Sequence, residues 1–418
     1  MEIPRPGWGE AESAARESYG RLVAWLTYRW GDLAAAEDAM GDALVAALEH
    51  WPRDGVPRSP DAWLLTAAKR NLLQRHRHVR VTQDPAVLAL FEQDAEASPA
   101  SMEIPDERLM LMLVCAHPDL PAGLHAPLML QAVLGLDART IADAFLVSPS
   151  AMAQRLVRAK ATIREKALRY EEPDAAQLPS RLAAVLDGIY GAYAIGSNLA
   201  SQGPDANPPA LVSELPGEAL YLARLVAALQ PECAEALGLL ALVLYCEARR
   251  PAQFDGRGDF VPLTEQDVER WDHALIDEAE ACLWHASKWQ SPGPFQWEAA
   301  IQSAHCQRLF TGRTPWDGIA TLYARLVGQH PSVGARIGQA IALAETEGVA
   351  SGLAALDRLP AKDVLSYQPY WAARAHLLRR HGDRNAAAQA LDRAIGLTAD
   401  PRIRAYLQRQ ASRIIPAS

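Results

Sequence analysis

Blocks of alanine and leucine at helical spacing, separated by prolines and Gly-Asp turns, run through almost the whole sequence. A chain with that texture and few aromatic or β-branched runs is predicted to be all-α. The first block, from Ala11 to Trp30, sets Leu22, Trp25 and Leu26 on one face and carries Arg29 at its end. Asp32 then reads as the N-cap of a second helix, DLAAAEDAMGDALVAALEHW, which the sequence ends at Pro52. The stretch PRDGVPRSP reads as a loop, and Ser59 or Asp61 opens a third helix, DAWLLTAAKRNLLQRHRHVR.

Charge divides the same region. The formal net charge is −9, which argues against a surface coated in nucleic acid. Its distribution is local, however. Residues 81–107 hold no Lys or Arg, but contain Asp84, Glu92, Asp94, Glu96, Glu103, Asp106 and Glu107, and with Pro85, Pro99 and Pro105 they read as an acidic linker. Residues 150–170 reverse the sign, with Arg155, Arg158, Lys160, Arg164, Lys166 and Arg169 against Glu165. Two short helices, at about 123–134 and 137–146, precede this basic segment, and SPS introduces it as a longer helix reaching to about Tyr170. A short helix, a tight turn and a basic helix form a helix-turn-helix pattern.

Beyond about residue 180 the texture changes to alanine-rich helix pairs with small residues at the turns. The pair YWAARAHLLRRHGDRNAAAQALDRAIGLTAD reads like a TPR unit, and stacked pairs of this kind bury a continuous core only as an array. FDGRGDFVPL interrupts the array as a short hairpin or turn centred on Asp255-Gly256.

Two helices carry the residues suited to DNA. In the third helix Trp63 and Leu64 face a core, while Lys69, Arg70, Arg75, Arg77 and Arg80, with Asn71 between them, gather toward the C-terminal half. Long cations with polar donors among them suit phosphate contact and base-edge hydrogen bonding, and a solvated helix face is the plainer reading of the same residues. In the basic helix Ser150, Gln154, Arg155 and Arg158 stand near the start, where a helix enters a major groove, and Lys160, Arg164, Lys166 and Arg169 follow as backbone contacts.

Order and spacing of these segments resemble the sigma-70 family, specifically the two-domain extracytoplasmic-function sigma factors. DLAAAEDAMGDALVAALEHW looks like their region 2.2, a helix that docks on the clamp helices of the largest polymerase subunit. The resemblance implies polar docking contacts at Asp38 and Asp42 and packing contacts at Leu44 and Leu48. PDAWLLTAAKRN matches the signature of regions 2.3 and 2.4, which with the loop 51–60 open the −10 element and capture a flipped base. TIADAFLVSPSAMAQRLVRAKATIRE looks like region 4.2, the reader of the −35 element. Segments further on, such as LLALVLYCEARRPA and RWDHALIDEAEACL, resemble a group of these factors with a TPR-like C-terminal extension. Gln74, His76, His78, Ala151 and Ala153 depart from the commoner family residues and bear on which promoter is read.

The expected organisation is sigma region 2 over residues 1–80, an acidic linker over 81–105, a region 4 helix-turn-helix over 106–172 and a TPR-like extension over 173–418. The expected partners are core RNA polymerase, promoter DNA and a protein on the repeats. The alternative is a sigma-like DNA-binding regulator or a helical-repeat scaffold that no longer engages polymerase. No P-loop, HExxH, nucleophile elbow or dinucleotide fingerprint occurs, so the function expected is binding rather than catalysis, with no cofactor and no metal. Five unpaired-looking cysteines, no signal-peptide layout and no long apolar run place it in the cytoplasm, with no membrane contact.

Overall fold

The computed structural model describes residues 8–79, 106–145, 147–168, 170–171, 173–200 and 210–414. It divides into two compact units, residues 1–192 and 193–418. Among the described residues every regular element is helical, apart from one isolated bridge between Phe254 and Phe260.

The first unit opens with α1 (Trp8–Trp30), α2 (Leu33–Asp54) and α3 (Pro60–Val79). Gly31, at φ 73°, turns the chain between α1 and α2, and the Asp32 carboxylate accepts the Ala35 amide at 3.1 Å as the expected cap. Leu33, Ala36, Met40, Ala43, Ala47 and Trp51 form the buried stripe of α2. The helix does not stop at Pro52. A proline in the last turn forfeits one intrahelical bond, and the stop comes from Gly55, at φ 83°, whose amide returns to the Trp51 carbonyl at 3.0 Å. Asp61 fastens the start of α3 to α1 by accepting from Ser18 and pairing with Arg21.

Next come α4 (Arg108–Cys115), α5 (His125–Ala132), α6 (Ala138–Ala144) and α7 (Pro149–Glu165). The first two pack on α1 at close quarters: a Cβ on Gly20 would lie 1.9 Å from the Val133 carbonyl oxygen. Asp137 caps α6 through the Arg139 and Thr140 amides at 2.9 and 2.8 Å, and Ser148 caps α7 through the Ala151 amide at 3.3 Å. Met152, Leu156, Ala159 and Ile163 face inward along α7. That helix ends at Glu165 rather than near Tyr170. Ala167 turns left-handed at φ 47°, and the Leu168 amide reaches back to the Ile163 carbonyl at 3.0 Å.

Helix α8 (Leu178–Ala200) runs from the first unit into the second, so the first compact unit extends past residue 172 to Ala192. The bare backbone of Gly188 allows close approach to Met129, whose Sδ would lie 2.7 Å from a Cβ there.

The second unit continues with α9 (Ala210–Leu229), α10 (Ala234–Arg249), α11 (His273–Ser287), α12 (Pro294–Cys306), α13 (Arg308–Thr311) and α14 (Trp316–Gln329). It ends with α15 (Val333–Thr346), α16 (Val349–Asp357), α17 (Ala361–Val364), α18 (Gln368–His381), α19 (Arg384–Leu397) and α20 (Pro401–Ile414). Neighbours in sequence pack on one another, and the core is a series of layers. Ile301, Ile319 and Leu326 centre one layer, Ile337, Leu356 and Leu377 the next, and Leu378, Leu391 and Leu407 the last. A cap supplied from another helix starts α12: the Glu235 carboxylate accepts the Gly293, Phe295 and Gln296 amides at 3.0, 3.0 and 3.2 Å.

The stretch 253–261 is the expected hairpin, with the Asp255 carboxylate accepting the Arg257 and Asp259 amides at 2.8 and 2.9 Å. Helix α20 returns to it: Phe260 meets Tyr406 edge-on at 5.5 Å and Asp259 pairs with Arg409 at 2.9 Å.

Candidate nucleic-acid interface

Helix α7 presents the residues expected of a groove reader. With Met152, Leu156, Ala159 and Ile163 turned inward, Ser150, Gln154, Arg155 and Arg158 fall on the opposite, exposed face. Val157 stands among them at 66% exposure, an apolar contact available to a thymine methyl. Lys160 is placed differently. Its ammonium donates to Glu37 of α2 at 2.5 Å, with side-chain exposures of 15% and 11% for the pair. Lys166 pairs with Asp119 at 3.0 Å near the end of the same segment, and Arg169 lies outside the described residues.

Helix α3 divides its cations by face. Arg70 is exposed. Lys69 is buried at 8% exposure, its ammonium 4.7 Å from the centre of the Trp25 ring. Burial, reinforced by Arg29, pulls its pKa down. Asn71 turns toward the Ala39 carbonyl of α2 at 3.5 Å. The side chains of Arg75 and Arg77, and all of Arg80, lie outside the described residues. Lys69 and Asn71 therefore join α3 to α1 and α2, and Arg70 faces solvent.

On α2, Asp38 and Asp42 are exposed one turn apart, and Val45 beside them is 57% exposed. Leu44 and Leu48 are half-buried on the adjoining face. Where α2 meets the loop before α3, a cavity of about 430 Å³ is lined by His50, Trp51, Asp54, Gly55, Pro57 and Trp63 among others. The two tryptophan rings meet edge to face at 5.5 Å, and the Trp51 indole N–H is buried with no hydrogen-bond partner. Aromatic side chains at the wall suit stacking on a planar heterocycle taken out of a base stack.

Sequence reasoning found the exposed face of α7 and a loop before α3, which the structure confines to residues 55–59, and it missed the pairing of Glu37 with Lys160 and of Trp25 with Lys69. Neither Glu37 nor Trp25 carries a local signal, because each gains its role from a lysine on another helix.

The sequence is 35% identical over 404 residues to an uncharacterised protein of Rhizobium meliloti (strain 1021), covering 95% of this chain and 93% of that one. Residues 15–81 match the family described as Sigma-70 region 2. The chain carries a sigma-70 region 2 and shares a family with the Rhizobium meliloti protein. Its region 2 match covers α2, α3 and the aromatic cavity between them. A probable RNA polymerase sigma factor, RfaY, of Xanthomonas campestris pv. campestris is 28% identical over 173 residues, which span 38% of this chain and 42% of that protein. Residues 181–287 match a family of unknown function, DUF6596. No solved structure matches the chain. Among the described residues, no helix is long and apolar enough to cross a membrane, and no group of three or more His, Cys, Asp or Glu is placed to hold a metal ion.

Proposed function

We propose that this protein is a sigma factor of the extracytoplasmic-function type, which binds core RNA polymerase, brings it to one class of promoters and helps to open them in the cytoplasm. The observation that supports the reading is the pairing, in one chain, of a sigma-70 region 2 with a short helix, a turn and a Ser148-capped helix that exposes Gln154, Arg155 and Arg158. In this reading Asp38, Asp42, Leu44 and Leu48 dock on polymerase. The cavity lined by His50, Trp51 and Trp63 takes the flipped base of the −10 element, with Arg70, Arg75, Arg77 and Arg80 along the adjoining phosphates. Lys69 and Asn71 set the angle of α3. Ser150, Gln154, Arg155 and Arg158 read the −35 element, and Lys160 joins them once it leaves Glu37. The second unit acts as a TPR-like extension that offers a protein-binding and regulatory surface.

Purified full-length protein mixed with core polymerase tests this by co-elution and by run-off transcription from the gene's own upstream region. The expected result is co-elution with a discrete transcript. DNA binding without co-elution would instead identify a sigma-like regulator detached from polymerase, and neither activity would leave a helical-repeat scaffold.

A further inference from the structure

Tyr193, Glu247, Arg250, Phe254 and Arg402 are far apart in sequence and converge, within the second unit, on one cavity of about 250 Å³. We infer that this cavity is a binding site for a small aromatic carboxylate, with the Arg402 guanidinium as its anchor. The inference goes beyond the sigma-factor reading and stands whether or not the chain engages polymerase.

Charge gives the first reason. Glu247 is committed on both oxygens: Oε1 accepts from the Tyr193 hydroxyl at 2.9 Å, and Oε2 pairs with Arg250 at 3.1 Å. Those two charges offset each other, so Arg402 is the excess positive charge of the lining. Its guanidinium makes no ion pair and no hydrogen bond among the described residues. By contrast, Arg409 on the same helix is held by Asp259 at 2.9 Å, and Arg224, Arg374 and Arg380 each hold a carboxylate of a neighbouring helix.

Geometry gives the second. The guanidinium carbon of Arg402 stands 4.3 Å from the centre of the Phe254 ring. Stacking of that kind uses only the face of the guanidinium. The N–H donors lie in its plane, where a carboxylate is taken by two parallel bonds. A staple between α20 and the hairpin would account for the face contact and leave those donors at the cavity without purpose. Phe260 on Tyr406 and Asp259 on Arg409 already fasten α20 to the hairpin, so the anchor is held in place before any ligand arrives.

Size and lining select the ligand. At about 30 Å³ per water the cavity has room for about eight waters, which suits a molecule of about ten non-hydrogen atoms rather than a peptide. One excess positive charge favours a monoanion over a phosphate group, which carries about −1.5 to −2 at pH 7. Tyr193 and Phe254 in the lining suit contact with a planar apolar body.

Benzoate and the full chain test the inference. Calorimetric titration should show saturable binding with a dissociation constant of about 1 mM or tighter, as a ligand of this size allows. Bound benzoate should slow amide hydrogen exchange in the hairpin 253–261 and at the start of α20. Benzamide, with the same shape and no charge, should bind at least tenfold more weakly, and so should inorganic phosphate. Arg402→Gln should lose at least tenfold in affinity. Gln253→Trp, which fills the cavity and keeps the guanidinium, should lose as much. Thermal melts without ligand check that each variant is folded; if Arg402→Gln melts far below the parent, Arg402→Lys, which keeps the charge without the fork, carries the test through a several-fold loss. No saturation, benzamide or phosphate binding as tightly as benzoate, or undiminished affinity in the folded variants would overturn the site. Co-elution with polymerase has no bearing on any of these outcomes.

Discussion

His305 packs edge-on against the Trp316 ring at 5.6 Å, and burial, helped by Arg249 and Arg308, pulls its pKa down to about 4. Above pH 6.5 the imidazole is neutral whether the chain is folded or not. As pH falls from 6.5 toward 4, the unfolded chain takes up a proton that the folded chain refuses, so stability drops across that window. The loss reaches about 2 kcal/mol by pH 5. Denaturant unfolding of the second unit at pH 7 and pH 5 should show it, and His305→Gln should remove most of the difference; equal pH dependence in both proteins would count against this origin. At the reading face, Arg155→Ala should lower binding to the cognate −35 sequence by about 1–3 kcal/mol and leave random DNA nearly unaffected. Equal losses on both would make Arg155 a phosphate contact. The exposed position of Arg155 could be read from sequence, because a proline and a capping serine fix the helix start and the apolar residues fix its phase. The positions of Lys69 and Lys160 could not. A long cation at a helix flank faces water or a neighbour according to what the neighbour offers, here the Trp25 ring and the Glu37 carboxylate.

Helix starts follow local chemistry, and three of the caps, at Asp32, Asp137 and Ser148, use side chains within three residues of the amides they satisfy. Such starts are legible. Helix ends were less so: Pro52 falls inside α2, and α7 stops where Ala167 turns left-handed, a conformation alanine seldom adopts and no pattern announces. The start of α12 was equally hidden, since its cap comes from Glu235, 58 residues before Gly293. Glu235→Ala leaves three amides at the α12 start without that acceptor and should destabilise the second unit by about 2–4 kcal/mol. Thermal melts would check it, and a loss under about 0.5 kcal/mol would mean that water replaces the carboxylate. On α2 the exposed acids are the testable pair. Asp38→Lys with Asp42→Lys should abolish co-elution with core polymerase while helix content by circular dichroism stays unchanged. Intact co-elution would remove this face of α2 from the docking surface.

At the scale of the whole chain, the point of division decides which fragments survive. The polar Glu-Glu-Pro-Asp stretch near residue 173 looks like a boundary in sequence, yet the first compact unit continues to Ala192. Leu182, Val185, Leu186 and Ile189 on that stretch of α8 are all at most 5% exposed, and Gly188 lies against Met129. A fragment ending at residue 173 forgoes that burial, at about 1.5–3 kcal/mol per large aliphatic side chain, a sum comparable with the roughly 5–15 kcal/mol that holds a domain folded. A fragment ending at residue 200 keeps it. The shorter fragment should therefore aggregate or melt well below the longer one, and equal melting temperatures would show that α8 contributes nothing to the first unit. The longer fragment then isolates the role of the repeats. If they regulate the sigma domains, promoter-dependent transcription by residues 1–200 should differ from that of the full chain by tenfold or more, about 1.4 kcal/mol of coupling. The two proteins are to be compared at equal polymerase concentration on the same template. A rise would identify the repeats as a restraint and a fall as a polymerase contact. Equal transcription would leave them no part in initiation, and the layered array would then serve a partner other than polymerase.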